Sequence, residues 1–241
     1  MMKKNKDMMT FGSLFAGIGG FDLGLERAGM ECKWQVEIDP FCRKVLQKHW
    51  PEVPKYEDVR KVGKHNLEPV DLICGGFPCQ DISNAGTRLG LGGERSGLWS
   101  EFYRLICDLR PNYVVVENVS ALLVRGFGVV LGNLASVGYD SEWQCLPAAY
   151  FGAPHPRDRI FIVAYTNGKR RQGPQIFTDT RLSMPKKPCG PWSTKPPVLR
   201  MADGVSVELD ELKALGNSIV PQIVEYIGTN IINANKSQKK T

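Results

Sequence analysis

The chain has 241 residues, 42% of them hydrophobic and 23% charged, with seven cysteines and a formal net charge of +6. That length suits one sizeable core with a small appendage, and no apolar run is long enough to span a bilayer. An odd cysteine count without a C-x-x-C pair argues against a disulfide scaffold or a structural zinc site and points to reduced thiols in the cytoplasm. The basic N-terminus has no long apolar core behind it, so no signal peptide is expected.

Thr10 to Phe15 reads as a first strand, and Ala16-Gly17-Ile18-Gly19-Gly20 as a glycine turn. Phe21, Leu25 and Ala28 then fall at helical spacing, with Gly29 to end the helix. Strand, glycine turn and helix open a nucleotide-binding α/β unit. A dinucleotide fingerprint would need a third glycine where Asp22 stands. That departure argues against a nicotinamide dehydrogenase and leaves room for another adenosine-bearing cofactor. Cys32 to Val36 reads as a second strand ending at Glu37, 18 residues past Gly19. An acid near that spacing can grip ribose hydroxyls; an ordinary strand-end acid is the alternative. A helix with Pro40 at its first position follows, then a short acid-bearing loop, Tyr56-Glu57-Asp58-Val59.

Val70 to Cys74 is a short apolar run that reads as a buried strand. Gly75-Gly76-Phe77-Pro78-Cys79-Gln80 comes next. The two glycines are expected to turn the chain sharply, and Pro78 stiffens the backbone before Cys79. A thiol leaving a parallel strand on a stiff turn is well placed as a nucleophile. A core cysteine beside a turn is the plainer alternative. Residues 81–97 carry five glycines and little periodicity, which suggests a mobile lid.

Leu98 to Leu109 has helical periodicity, and Tyr113 to Val116 reads as a nearly pure buried strand. Glu117-Asn118-Val119 lies at its C-terminal end, the edge where open α/β sheets bind ligands. Glu117 suits either a general acid or a cap of the following helix. Val129 to Val137 reads as a helix, and Ser141 to Pro147 and Arg159 to Ala164 as two further strands. The alternation predicts a mostly parallel sheet with helices on both faces.

Thr166 to Asp203 breaks the pattern. It holds eight Lys or Arg against two acids, which is the chain's whole net charge, and six of its sixteen prolines. A localised basic segment suggests a nucleic-acid partner; a solvated loop is the alternative. Gly216-Asn217-Ser218 precedes a closing helix with Ile223, Tyr226, Ile227 and Ile231 on one face. The expected organisation is a catalytic domain over 1–165 and 204–235, a basic recognition region over 166–203, and a disordered tail over 236–241.

Phe15-Ala16-Gly17-Ile18-Gly19-Gly20, Gly75-Gly76-Phe77-Pro78-Cys79-Gln80, Glu117-Asn118-Val119, Arg157-Asp158-Arg159 and Gly216-Asn217-Ser218 occur in that order. The set resembles the C5-cytosine DNA methyltransferase family over about residues 9–165 and 209–228. The resemblance implies an α/β, Rossmann-like fold with a small irregular recognition insertion, S-adenosylmethionine as cofactor, and no metal. It implies that Cys79 adds to C6 of cytosine, and that a protonated Glu117 stabilises the density pushed onto N3. Arg157 and Arg159 match the family's arginine pair, with Arg159 the better choice for the base O2 and for orienting the acid; a hold on phosphate is the alternative for both. Phe15, Gly17, Gly19, Glu37, Ile38, Asp58, Pro78, Leu98, Asn217 and Ser218 are implied around the cofactor.

The target cytosine must be swung out of its duplex before attack. The lid would then close with Ser83 near the vacated position, while Arg88 and Arg95 hold phosphates. Lys169, Arg170, Arg171, Lys186 and Lys187 are expected on DNA. The expected partners are duplex DNA and a cognate restriction endonuclease, with a monomeric enzyme in a bacterial or phage-infected cytoplasm. Two departures stand out. His155 replaces the family's usual glutamine, and the roughly 38-residue basic region is shorter than a usual recognition domain. A minimal region implies heavy reliance on phosphate contacts. A tRNA cytosine-5 methyltransferase and a catalytically silent nucleic-acid-binding relative are the alternatives. Intact Cys79, Glu117 and Arg159 argue against the second.

Overall fold

A computed structural model describes residues 8–78, 97–153, 157–166, 175–177 and 218–238. In chain order the elements are β1 (Thr10–Leu14), α1 (Gly20–Ala28), β2 (Glu31–Val36), α2 (Pro40–His49), β3 (Lys55–Tyr56) and β4 (Leu72–Gly76). There follow α3 (Gly97–Leu109), β5 (Tyr113–Val119), α4 (Leu122–Arg125), α5 (Phe127–Ser136), β6 (Tyr139–Pro147), β7 (Asp158–Thr166) and α6 (Pro221–Gln238). The strands form one seven-stranded sheet in the order β3-β2-β1-β4-β5-β7-β6. The first five are parallel, and β7 runs antiparallel to both β5 and β6. The fold is therefore the expected α/β, mostly parallel, Rossmann-like architecture.

The central strands explain themselves. Leu72, Ile73, Cys74, Val114, Val115 and Val116 are fully buried, as a strand covered on both faces requires. Successive residues feed opposite layers. Phe11, Cys74, Val115 and Phe161 share a core with Phe21 and Leu25 of α1 and Ile223, Ile227 and Ile231 of α6. Leu14, Ile73, Val114 and Val116 share another with Phe102 and Leu105 of α3 and Val130 and Leu134 of α5. α1 and α6 approach through small residues. A Cβ at Gly24 would stand 2.5 Å from Val224 Cβ, and one at Gly228 2.9 Å from Ala28 Cβ. Among the described residues no helix is long and apolar enough to cross a membrane.

Strand order reverses between β1 and β4, so their carboxyl ends open on a crevice, the usual ligand position in such sheets. Several details differ from the sequence expectation. Gly75 and Gly76 do not turn the chain; they extend β4, paired with Leu14 and Val116 and with Glu117 respectively. Their lack of a side chain serves close approach instead. A Cβ at Gly75 would lie 2.7 Å from the Leu14 carbonyl oxygen, and one at Gly76 2.6 Å from Glu117 Oε2. β5 continues to Val119, so Glu117 sits inside a strand and is not a helix cap. Lys55 and Tyr56 add a short edge strand beside β2, and a one-turn α4 precedes α5. α6 runs on through Gln238, into the stretch assigned to a tail.

Asp22, in the first turn of α1, is fully buried. It accepts hydrogen bonds from Ser13 Oγ at 3.2 Å, Gln35 Nε2 at 2.8 Å and the Cys32 thiol at 3.5 Å. Burial lifts its carboxyl to about 6 despite those donors. Where a dinucleotide site would carry a glycine, this chain carries a buried tie between α1, β1 and β2.

Candidate active site

The crevice at the carboxyl ends of β1, β2, β4 and β5 holds a cavity of about 680 Å³. That lies within the range of roughly 300–1,000 Å³ typical of small-ligand sites. The strand order gives it two halves.

The first half follows β1 and β2. Phe15 and Gly17 both have positive φ, 52° and 55°, which turns the backbone over the end of β1. For Phe15 this is a strained conformation of the kind that gathers at functional sites. Glu37 leaves β2 beside this turn. Its Oε2 accepts the Gly17 N–H at 2.7 Å, and its Oε1 accepts the Asp39 N–H at 2.7 Å. Asp39 caps α2 in turn, accepting from the amides of Phe41 and Cys42, with Pro40 filling the first helical position. Ile38 projects at the mouth, 68% exposed although apolar. Asp58 accepts the Arg60 N–H at 3.0 Å and starts a single 3₁₀ turn over Val59–Lys61.

This half suits an adenosyl ligand. A carboxylate offers about four acceptor positions, so Glu37 keeps acceptor capacity for ribose hydroxyls after binding two amides. An exposed apolar Ile38 beside buried Val59 offers a slot for a flat aromatic ring. The open backbone from Phe15 to Gly17 leaves room for a bulky neighbour, since a Cβ at Gly17 would meet nothing within 4 Å.

The second half is built from β4, β5 and β7. Glu117 is only 8% exposed. Arg159 enters across the β5–β7 ladder and places Nε 3.1 Å from Glu117 Oε1. Burial raises the Glu117 carboxyl from its ordinary 4.5 to about 7, and Arg159 and then Arg157 pull the other way without overcoming it. The ion-pair distance and the raised value are compatible. Near pH 7 both forms are populated, and Nε can donate to Oε1 in either.

Asn118 sews this half to Phe77, just past the end of β4. Its Nδ2 donates to the Phe77 carbonyl at 2.9 Å, while its Oδ1 accepts the Val119 N–H at 2.9 Å. Arg157 has φ 31°, a second strained non-glycine residue at the cavity. Its Nη2 donates to the Ser218 carbonyl at 2.8 Å, which ties the start of β7 to the segment entering α6. The next carbonyl, of Ile219, would lie 2.6 Å from a Cβ at Gly20, so the last motif closes on the first.

Of the sequence-predicted cofactor residues, Phe15, Gly17, Glu37, Ile38, Asp58, Pro78, Leu98 and Ser218 line the cavity. Glu117, Arg157 and Arg159 line it as well. Gly19 stands behind the wall, at φ 90°, capping α1 against Leu46 and Trp50. Cys79, Ser83, Arg88, Arg95, His155, Lys169, Arg170, Arg171, Lys186, Lys187 and Asn217 lie outside the described residues. Sequence reading assigned no role to Asn118, Asp39 or Val59. Asn118 was visible in its motif, and Asp39 before Pro40 is an ordinary helix-start signal. Val59 carried no signal.

A sequence profile described as C-5 cytosine-specific DNA methylase matches residues 9–203. The chain is 37% identical over 160 residues to the Type II methyltransferase M2.BsuMI of Bacillus subtilis (strain 168), covering 63% of this chain and 41% of that protein. Across four such relatives the match takes in between 41% and 53% of their length, so the chain spans about half of the curated relatives it matches. Among solved structures it is similar to one described as a DNA modification methyltransferase encoded within an Escherichia coli prophage. There the TM-score is 0.56 at 30% identity, over 66% of this chain and 47% of that one. It is also similar in fold to the Dnmt2 methyltransferase of S. pombe, with TM-score 0.58 at 20% identity over 68% and 52% of the two chains.

Proposed function

The chain belongs to the C-5 cytosine-specific DNA methylase family, and from that premise we propose that it transfers a methyl group from S-adenosylmethionine to C5 of a cytosine extruded from duplex DNA. The observation that carries this reading is the two-part cavity. An amide-held acid, Glu37, stands on one side, and a buried carboxyl, Glu117, bonded to Arg159, stands on the other.

Bound S-adenosylmethionine supplies an electrophilic methyl group on a sulfonium. Glu37 holds the ribose hydroxyls, Ile38 and Asp58 take the adenine, and Phe15 and Gly17 border the methionine part. Cytosine C5 is a weak nucleophile until a group adds at C6. The Cys79 thiolate forms that bond, and the displaced electron pair moves towards N3. Glu117 meets N3 with its proton, which a carboxyl lifted to about 7 retains near neutrality. Arg159 orients Glu117 and faces the base O2. Methyl transfer would leave the cofactor a neutral thioether and return the N3 proton to Glu117. The C5 proton then passes to water, its C–H electron pair restores the C5–C6 double bond, and the C6–sulfur bond breaks with its pair leaving on the Cys79 thiolate. An extruded base is implied because the buried carboxyl can reach N3 only outside the stack. The basic segment from Thr166 to Asp203 serves phosphate contacts, and a cognate endonuclease is the natural partner in a restriction–modification setting.

A tRNA cytosine is the second reading, since such an enzyme shares this residue constellation on the same fold and the short basic region does not exclude it. Tritiated-methyl transfer to duplex DNA and to tRNA separates the two, with Cys79→Ser as control. Label recovered as 5-methylcytosine in DNA and lost in the control is the expected result. Label in tRNA alone would replace the substrate, and label surviving in Cys79→Ser would sink the covalent route.

A further inference from the structure

Arg43 does not line the cavity, yet it joins the groups that do. It sits one turn into α2 and reaches back over the carboxyl end of β2. Nη1 donates to the Glu37 carbonyl at 3.0 Å and to the Ile38 carbonyl at 2.7 Å. Nη2 lies 2.8 Å from Glu57 Oε1. Glu37, Ile38 and Glu57 all border the cavity, and Asp58 and Val59 follow Glu57 directly. Two separate loops, one after β2 and one after β3, thus meet on a single guanidinium.

We infer that Arg43 is a positioning residue for the cofactor: it brackets the Glu37–Ile38 loop, one wall of the adenine slot, to α2, with a weaker arm to Glu57 on the facing loop. This rests on the cofactor reading above. The geometry asks for arginine specifically. A planar fork presents several donors in fixed directions, so one side chain can hold two carbonyls and a carboxylate at once. A lysine ammonium is a compact point charge without that fork. The Glu57 arm alone would fix little, because Glu57 is 73% exposed and a surface pair is screened by water. The carbonyl arms do most of the holding, and the Asp39 cap on the same helix keeps α2 in place beneath them. Without the bracket, the mouth of the cavity relies on Ile38, whose side chain has little to pack against at 68% exposure. Loosely supported groups of this kind lose the precision that ligand binding needs. From the sequence, Arg43 reads as one more basic residue on the polar face of a helix.

The test is calorimetric titration of S-adenosylmethionine and S-adenosylhomocysteine into the full chain and into Arg43→Met, Arg43→Lys and Glu57→Gln. Arg43→Met should raise both dissociation constants by roughly tenfold to a hundredfold, the range typical when a supporting shell is removed. Arg43→Lys should fall between it and the native chain, and Glu57→Gln should cost about threefold or less. At saturating cofactor, kcat and DNA affinity should stay within about twofold of native, because only cofactor positioning has changed. Unchanged cofactor affinity in Arg43→Met would overturn the inference. So would parallel losses of cofactor affinity, DNA affinity and melting temperature, which would mark a merely structural residue. A native chain that binds neither ligand would overturn the cofactor reading itself, and the inference with it.

Discussion

The two halves of the cleft prepare a glutamate in opposite ways. Glu37 receives two backbone amides at 2.7 Å at the end of a strand near the cavity mouth. Glu117 lies inside β5, 8% exposed, and is held by a guanidinium that has itself crossed from another strand. Backbone donors fix a carboxylate in place while leaving it acceptor positions for a ligand. Burial rewards a carboxyl that keeps a proton until the reaction calls for it. In the proposed function, one sheet edge thereby supplies both a grip and an acid without any difference in residue type.

The sharpest way to break that contrast is Glu117→Gln. The amide keeps the shape but not the transferable proton, so kcat should fall by about 10²–10⁴, the usual worth of a positioned acid. Affinity for DNA and cofactor should change by no more than about threefold if catalysis alone is affected. Comparable losses in rate and affinity, read from single-turnover kinetics and equilibrium titration, would make Glu117 structural.

Its pH dependence follows. The folded value of about 7 lies above the ordinary 4.5, so the protonated form is full at low pH and lost as pH rises through 7. kcat/KM should show a descending limb near pH 7 that Glu117→Gln removes. A limb that survives the substitution belongs to another group. Burial of Glu117 likewise makes its contribution to stability greatest below pH 4.5 and lost as pH rises through 7.

On the other side of the cleft, Glu37→Gln should raise the S-adenosylmethionine dissociation constant by roughly tenfold or more, since bonds to a charged acceptor are worth about 1.5–3 kcal/mol. Its kcat at saturation should stay close to native. An equal loss of kcat would mean the two halves are not separate.

Asp22→Ala should act through the fold. It leaves the buried donors of Ser13 and Gln35 without their acceptor, at a cost of about 1–3 kcal/mol in chemical denaturation. Asp22→Asn should also flatten the pH profile of stability. The aspartate's folded value of about 6 exceeds its ordinary 3.8, so native stability falls as pH rises through 6. A native profile in the asparagine variant would refute that assignment.

These residues show how far the sequence could be read. Strand and helix identities followed from apolar periodicity, Glu37 and Glu117 followed from their place at strand ends, and Arg159 followed from the family resemblance. Gly75 and Gly76 misled, because a glycine pair signals a turn when judged locally. Here the chain stays extended, and only the neighbouring Leu14 carbonyl and Glu117 carboxylate explain the missing side chains. Asp22 looked like a departure from a fingerprint until its three donors on β1 and β2 were seen. Asn118 and Arg43 share that limit. Each acts through a carbonyl on a segment distant in sequence or on the adjoining loop, and backbone acceptors leave no trace in residue identity.

The proposed chemistry turns on a covalent bond between Cys79 and cytosine C6, and this bond can be trapped. A duplex containing 5-fluorocytosine at the target, with S-adenosylmethionine, should halt the reaction after methylation, because fluorine cannot leave C5 as the proton does. Intact-mass analysis followed by peptide mapping should find one protein joined to one methylated DNA strand through Cys79. Methylated product with no adduct, or an adduct on a different residue, would rule out covalent attack by Cys79.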